Sequence, residues 1–292
     1  MFVQTLLVTI NRICVCGAGT MGSGIAQVAA TAGFSTLLYE LNENVLTQAR
    51  DQLQRQLERL ESKGKLQAGE AATIFNRIHF TGGLSECTAD VFIEAIIEKP
   101  EPKAALFNTL IKQNSETAIF ATNTSSLSVS AIAEATLAPS RVAGMHFFNP
   151  APLMKLVEIV EGTQTAPEVA ATLTDLTRRM GKTPVRCKDR PGFIVNRVAR
   201  PYYTEALRLV EEGHADPATL DQLLEGLGFR LGPFRLMDLI GHDVNYAVSS
   251  SVYEQLGRPE RLRPSYIQEA LVKKGELGQK TGKGFYHYQS EK

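Results

Sequence analysis

The sequence has no tryptophan, four cysteines and five histidines in 292 residues. The missing tryptophan says nothing about function. The cysteines at 14, 16, 87 and 187 lack the spacing of zinc ligands, and as free core or surface thiols they fit a reducing cytoplasm. Cys14 and Cys16 are expected on opposite faces of one strand. Neither sign of charge is in excess, because 31 Lys and Arg match 31 Asp and Glu. No global field therefore points to nucleic acid or to a membrane surface. No apolar run approaches the ~18 residues of a membrane span. Residues 1–10 are apolar but lack the basic start and small-residue cleavage site of a signal peptide. No internal repeat and no low-complexity segment is evident. The length suggests two domains, since single cores stop growing near roughly 250–300 residues.

The chain is organised around residues 12–40. Ile13-Cys14-Val15-Cys16 reads as a short buried strand, followed at once by Gly17-Ala18-Gly19-Thr20-Met21-Gly22. Ile25, Val28, Ala29 and Ala32 recur at helical spacing, Gly33 is placed to end that helix, and residues 34–39 read as a second strand. Gly17 allows the tight turn, Gly19 lets backbone approach a pyrophosphate, and Gly22 packs helix against strand. The helix N-terminus offers N–H groups and a positive dipole to phosphates. Glu40 stands 23 residues after Gly17, where an acid binds a ribose 2′-hydroxyl. Strand, turn, helix, strand and acid in this order point to dinucleotide binding.

After Glu40, Leu46, Ala49, Leu53, Leu57 and Leu60 form one helical stripe, Gly64 breaks it, and a second helix is expected over residues 68–76. This hairpin, about 43–76, is long for a crossover. It is either an amphipathic pair packed on the sheet or an arm that grips a large substrate, and the pattern alone favours packing. Strands are expected at 77–80, 90–95, 118–121, 142–148, 155–159 and 183–187. Helices are expected at 103–112, 129–135 and 167–180. The alternation implies an α/β fold with a doubly wound, mostly parallel sheet of the Rossmann type. Lys188-Asp189-Arg190-Pro191-Gly192 is the domain boundary, giving a dinucleotide-binding domain over 1–188 and an all-helical domain over 189–292. Helices are expected in the latter at 193–212, kinked at Pro201, and at 216–224, 233–254 and 265–274. Its apolar stretch 229–240 suggests a partner surface, most simply a second copy.

Three polar clusters fall at the carboxyl ends of the strands, where ligands bind such sheets. They are Glu94-Ala95-Ile96-Ile97-Glu98 with Lys103, Asn123-Thr124-Ser125-Ser126, and Gly144-Met145-His146-Phe147-Phe148-Asn149-Pro150 with Glu158 shortly after. A strand histidine on its own is most often a satisfied core residue. Here a glutamate on the adjoining strand can bind its second ring nitrogen. A histidine–carboxylate pair beside a nicotinamide is a ready proton acceptor for alcohol oxidation.

These motifs, together with Asp189-Arg190-Pro191-Gly192-Phe193-Ile194-Val195-Asn196-Arg197 and Lys280-Thr281-Gly282-Lys283-Gly284-Phe285-Tyr286, occur in one order from residue 12 to residue 288. In this the chain resembles the L-3-hydroxyacyl-CoA dehydrogenases, of the short-chain 3-hydroxybutyryl-CoA dehydrogenase type. The resemblance implies that His146 is the catalytic base and Glu158 its carboxylate partner. Ser125 would contact substrate and cofactor, and Asn196 would assist at the substrate carbonyl. Cofactor contacts are expected from Gly17, Gly19, Thr20, Met21 and Gly22, from Glu40 and Ala95, and from Glu98, Lys103, Ser125, Asn149 and Lys280. Lys63 matches a lysine that meets CoA on a projecting arm, which favours the arm reading of the hairpin. The helical domain matches a dimerisation and substrate-closing domain. Family members often carry Asp in place of Glu40, and a serine that holds CoA in some of them aligns with Gln56.

The expected function is reversible oxidation of an L-3-hydroxyacyl-CoA with NAD, in a cytoplasmic homodimer that binds neither nucleic acid nor membrane and holds no metal. A dehydrogenase of a free 3-hydroxy acid would typically carry a lysine on the first interdomain helix, where this chain has Asn196 and Arg197. A non-catalytic NAD-binding protein would have no need of His146, Glu158, Ser125 and Asn196 together.

Overall fold

The computed structural model describes residues 9–288. Most of the apolar segment 1–10 therefore lies outside the described residues. The chain divides into two compact units, one up to Arg190 and one from Pro191.

The first unit is an eight-stranded sheet in the order β3-β2-β1-β4-β5-β6-β7-β8. Its strands are β1 (Arg12–Cys16), β2 (Ser35–Tyr39), β3 (Ile78–Thr81), β4 (Val91–Glu94), β5 (Ile119–Thr122), β6 (Val142–Phe147), β7 (Leu156–Glu161) and β8 (Thr183–Lys188). All neighbours run parallel except β6 and β7. The helices are α1 (Thr20–Thr31), α2 (Glu43–Ser62), α3 (Glu70–Asn76), α4 (Pro100–Gln113), α5 (Val129–Glu134) and α6 (Pro167–Arg179).

The pleat divides the core in two. Ile13 and Val15 of β1, Val91 and Ile93 of β4, and Ile119 and Ala121 of β5 join the layer shared with α1, α2, α3 and α6. Cys14, Cys16, Phe92 and Phe120 point the other way, toward Phe107 and Leu110 of α4 and Ile132 of α5. The expectation for Cys14 and Cys16 is thus corrected. Residues two apart in a strand share a face, and the two sulfurs lie 3.9 Å apart, buried in one layer with Cys87.

The helical hairpin α2–α3 buries Ala49, Leu53 and Leu57, with Ala71 and Ile74, in the first of these layers. Its stripe therefore packs as an amphipathic helix should, while Gln56 and Lys63 remain exposed. Asn42 opens α2 by accepting from the Asn44 and Val45 N–H groups.

The second unit holds α7 (Val195–Glu211), α8 (Pro217–Gly226), α9 (Pro233–Ile240), α10 (His242–Gln255) and α11 (Tyr266–Lys274). The single helix expected over 233–254 is in fact two. Gly241, at φ +99°, leaves the helical region between them. Tyr203, Leu207, Leu220, Phe234 and Met237 form this unit's core. Beneath its C-terminal segment lies Asp238, which is fully buried. Its carboxylate accepts from His242 Nε2 at 2.6 Å, the Phe285 and Tyr286 N–H groups, and the Tyr288 hydroxyl. Among the described residues no helix is long and apolar enough to cross a membrane.

Candidate active site

The site begins where β1 meets α1. Gly17 has φ +102°, and a Cβ there would come within 2.7 Å of the Ala95 carbonyl oxygen. A Cβ on Gly22 would stand 1.8 Å from the Gly17 carbonyl oxygen, so only glycine lets the helix start this close to the strand. Around Gly19 nothing lies within 4 Å of such an atom, leaving that side open to a ligand. No side chain caps α1, so its first turn, Thr20-Met21-Gly22, meets an anion with backbone N–H groups and the helix dipole.

Glu40 follows β2 directly. Its Oε2 accepts from Ala18 N–H and its Oε1 from Asn42 N–H, both at 3.0 Å, which fixes the carboxylate beside the glycine loop. Together they border a cleft of about 450 Å³ that Leu41, Val45, Ala95, Ile96 and Ile97 also line. Leu41 and Ile97 are 78% and 59% exposed, apolar walls without a cover. An open glycine cradle, a bare helix start, a fixed carboxylate and apolar walls together fit a dinucleotide.

The carboxyl ends of β4 and β5 carry a buried ionic network. Lys103 of α4, 1% exposed, donates to Glu94 Oε1 at 2.6 Å and lies 3.1 Å from Glu98 Oε2. Glu94 also accepts from Ile96 N–H and from the Thr122 hydroxyl, each at 2.7 Å. Glu98 Oε1 accepts from the Thr124 hydroxyl at 2.6 Å, Ser125 N–H at 2.9 Å and the Ser125 hydroxyl at 3.5 Å. Burial pushes the Glu94 carboxyl above the ordinary range, against the pull of Lys103, Thr122 and Ile96. At Glu98 burial works in the same direction, but Lys103, Thr124 and Ser125 outweigh it and hold the carboxyl below that range. The structure thus brings Glu98, Lys103 and Ser125 together. It adds Thr122 and links it through Glu94, which the sequence already groups with Lys103; these links depend on side-chain reach between elements and not on spacing within one.

His146 lies within β6 and Glu158 within β7. Antiparallel register makes them direct partners, and Nδ1 is 2.8 Å from Glu158 Oε2. Both are buried, Glu158 fully. An ionised carboxylate can only accept, so Nδ1–H donates to it, and a neutral ring in that tautomer carries its lone pair on Nε2. The Phe148 ring packs 4.5 Å from the imidazole, centroid to centroid. Asn123, at the end of β5, accepts from Phe147 N–H at 2.8 Å and ties the Ser125 loop to the histidine strand. Asn149 follows, exposed, two residues beyond the end of β6.

In the second unit, Asn196 lies in the first turn of α7, where its carbonyl accepts from Arg200 Nε. Lys280 is paired with Asp243 at the start of α10, with Nζ 2.6 and 2.7 Å from the two carboxylate oxygens. Lys63 stands at the C-terminal end of α2. The sequence reading missed Leu41 and Ile97 as walls of the cleft, although exposed apolar residues beside the glycine loop and after β4 are the signal that finds them.

A doubly wound sheet with this glycine turn and a carboxylate after its second strand belongs to the dinucleotide-binding class, and at its ligand edge it carries a buried imidazole–carboxylate pair. Residues 12–190 match the model of the 3-hydroxyacyl-CoA dehydrogenase NAD binding domain, and residues 192–288 match the C-terminal domain of the same enzymes. The chain belongs to the 3-hydroxyacyl-CoA dehydrogenase family, a family of oxidoreductases, and its first unit is the NAD-binding domain. It is 46% identical over 289 residues to the 3-hydroxyadipyl-CoA dehydrogenase of Escherichia coli (strain K12), a match covering 98% of this chain and 61% of that protein. The chain thus spans about three fifths of that relative's length. A probable 3-hydroxybutyryl-CoA dehydrogenase of Bacillus subtilis (strain 168) is 42% identical, with 97% and 99% of the two chains covered. The crystal structure of (S)-3-hydroxybutyryl-CoA dehydrogenase from Ralstonia eutropha superposes with a TM-score of 0.92 at 34% identity, covering 97% and 100%.

Proposed function

We propose that this chain catalyses the reversible, NAD-dependent oxidation of an L-3-hydroxyacyl-CoA, such as 3-hydroxybutyryl-CoA, to the 3-ketoacyl-CoA. The observation that carries the reading is the His146–Glu158 pair, buried in a dinucleotide-binding sheet at the edge where such sheets take ligands.

Bound NAD supplies the hydride acceptor for C3. His146 Nε2 takes the hydroxyl proton. Glu158 holds the ring in the tautomer that can do so and stabilises the imidazolium that results. Ser125, on a loop fixed by Glu98, and Asn196 hold the reacting oxygens. The glycine loop and α1 start take the pyrophosphate, and Glu40 takes the ribose hydroxyl. Glu98, Lys103, Asn149 and Lys280 serve the nicotinamide half, and Lys63 meets the CoA carrier.

The helical domain is the dimer surface in this reading. Leu223, Leu227, Phe229 and Leu239 are each more than half exposed there. Four free thiols suit a reducing cytoplasm, where the enzyme would serve β-oxidation of fatty acids.

The assay is NADH consumption with acetoacetyl-CoA. Saturated 3-ketoacyl-CoAs of increasing length, a dicarboxylyl-CoA and free acetoacetate form the comparison arms. Turnover of the thioester with none of the free acid is expected. Turnover of the free acid alone, or of neither, overturns the reading. Sedimentation at micromolar concentration tests the dimer.

A further inference from the structure

The buried network at the ends of β4 and β5 contains one acid that no role above uses. Glu94 is fully buried, touches neither the cleft nor Ser125, and nonetheless receives three donors. Each donor belongs to a different segment. Ile96 N–H lies in the loop that closes over Gly17, Lys103 in the first turn of α4, and Thr122 at the last position of β5.

Lys103 has its stem and charge out of water, so it stays where its anions put it. Of its two carboxylates, Glu94 is the nearer, at 2.6 Å against 3.1 Å for Glu98. Glu98 side-chain atoms are 39% exposed, and its loop has no regular structure. Such a carboxylate keeps one rotamer only if something buried holds it. Lys103 does this on one oxygen, and the other then collects Thr124 and Ser125.

We infer that Glu94 is a positioning residue, which fixes Lys103 and through it Glu98, so that the Ser125 loop is held in its reactive place. The inference rests on the role proposed above for Ser125. Glu94 acts on Ser125 across two intervening side chains, each bonded to the next. The same carboxylate ties Ile96, which lines the cleft, to Thr122 at the end of β5.

The test uses the full chain and the variants Glu94→Gln, Ser125→Ala and their double. Amide exchange without ligands is read first. In Glu94→Gln the Ser125 N–H should exchange about tenfold faster, though Glu94 does not touch it, while Met145 N–H in β6 should not change. Global weakening would move both. Turnover with acetoacetyl-CoA and NADH is read next. Glu94→Gln should lower kcat about tenfold with KM for NADH changed less than twofold, and the double variant should be no slower than Ser125→Ala, as expected of residues that act as one unit.

Unchanged Ser125 exchange, or losses that multiply in the double variant, would overturn the inference. A fully active Ser125→Ala would instead overturn the Ser125 reading, with the exchange result still reporting on Glu94 itself. Should Glu94→Gln fail to fold, Thr122→Val removes one donor from Glu94 and leaves its charge. It should show the same pattern at smaller size, and wild-type exchange and kcat there would count against the inference.

Discussion

His146 and Glu158 are opposite one another in an antiparallel pair inside an otherwise parallel sheet, with Nδ1 and Oε2 2.8 Å apart. The reversal of β7 is what makes this possible. It brings the third residue of a strand that starts at the ligand edge against the fifth residue of a strand that ends there. Two rigid ladders thus fix both side chains, with neither imidazole nor carboxylate carried on a loop.

The pair should behave as a unit. His146→Gln removes the base and should lower kcat roughly 10²–10⁴-fold. Glu158→Gln keeps the size but removes the charge that stabilises imidazolium, so it should also lose kcat more than affinity. NADH should bind both variants as it binds the wild type, because the Gly17–Gly22 turn follows a different strand. The double variant should be little worse than His146→Gln. Steady-state kinetics on the four proteins decide it. Losses that multiply would mean that Glu158 does not work through His146.

The ribose role proposed for Glu40 predicts the choice of cofactor. Both oxygens of Glu40 accept backbone N–H groups, which keeps the carboxylate in place beside the glycine loop. A 2′-phosphate there would meet a fixed negative charge. NADH should exceed NADPH in kcat/KM by at least about tenfold, equivalent to ~1.4 kcal/mol. Glu40→Ser should narrow the gap chiefly by improving NADPH. Equal efficiencies in the wild type would remove this role from Glu40.

Much of this was legible because it is local. The glycine turn, the uninterrupted apolar runs of β4 and β5, and the stripe of α2 are each set by a short stretch of chain and its own side-chain period. Cys14 and Cys16 were misplaced by neglect of that same period, which puts positions two apart on one face. The break at Gly241 was hidden because apolar residues continue on both sides of it, and only the positive φ ends α9. The part played by Glu94, already grouped with Lys103 in the sequence, was hidden for a different reason. Its importance comes from Lys103 and Thr122 converging from a helix and a neighbouring strand, and that depends on register and rotamer between elements.

Lys63 tests the carrier end. It is exposed at the end of α2, on a hairpin whose apolar stripe is committed to the core. Its contact with a CoA phosphate would be a surface one, worth ~1 kcal/mol or less. Lys63→Glu should raise KM for acetoacetyl-CoA about fivefold in dilute buffer and leave KM for NADH alone. The effect should fade at high salt, because exposed charges are screened. An unaltered KM in dilute buffer would leave the hairpin with a packing role only.

Asp238 is expected to set the acid limit of the helical domain. Burial opposes its ionisation, but His242, the Phe285 and Tyr286 N–H groups and the Tyr288 hydroxyl outweigh burial and hold its carboxyl below the ordinary aspartate value of 3.8. A carboxyl depressed in the folded state binds protons more readily when unfolded. The stability it contributes is therefore complete above pH 3.8 and is lost as pH falls through the lower, folded value. Asp238→Asn keeps the shape but cannot satisfy four donors, and breaking a buried charged contact of this kind costs on the order of 3 kcal/mol. The variant should be weaker than the wild type at pH 7 by that order. Below pH 3.8 the gap should narrow, because the unfolded wild-type chain then takes up a proton that the folded carboxyl does not. Urea titrations followed by tyrosine fluorescence measure this, since the sequence has no tryptophan to mask Tyr286 and Tyr288. A gap that stayed constant from pH 7 to pH 3 would show that the charge on Asp238 does not anchor the C-terminal segment.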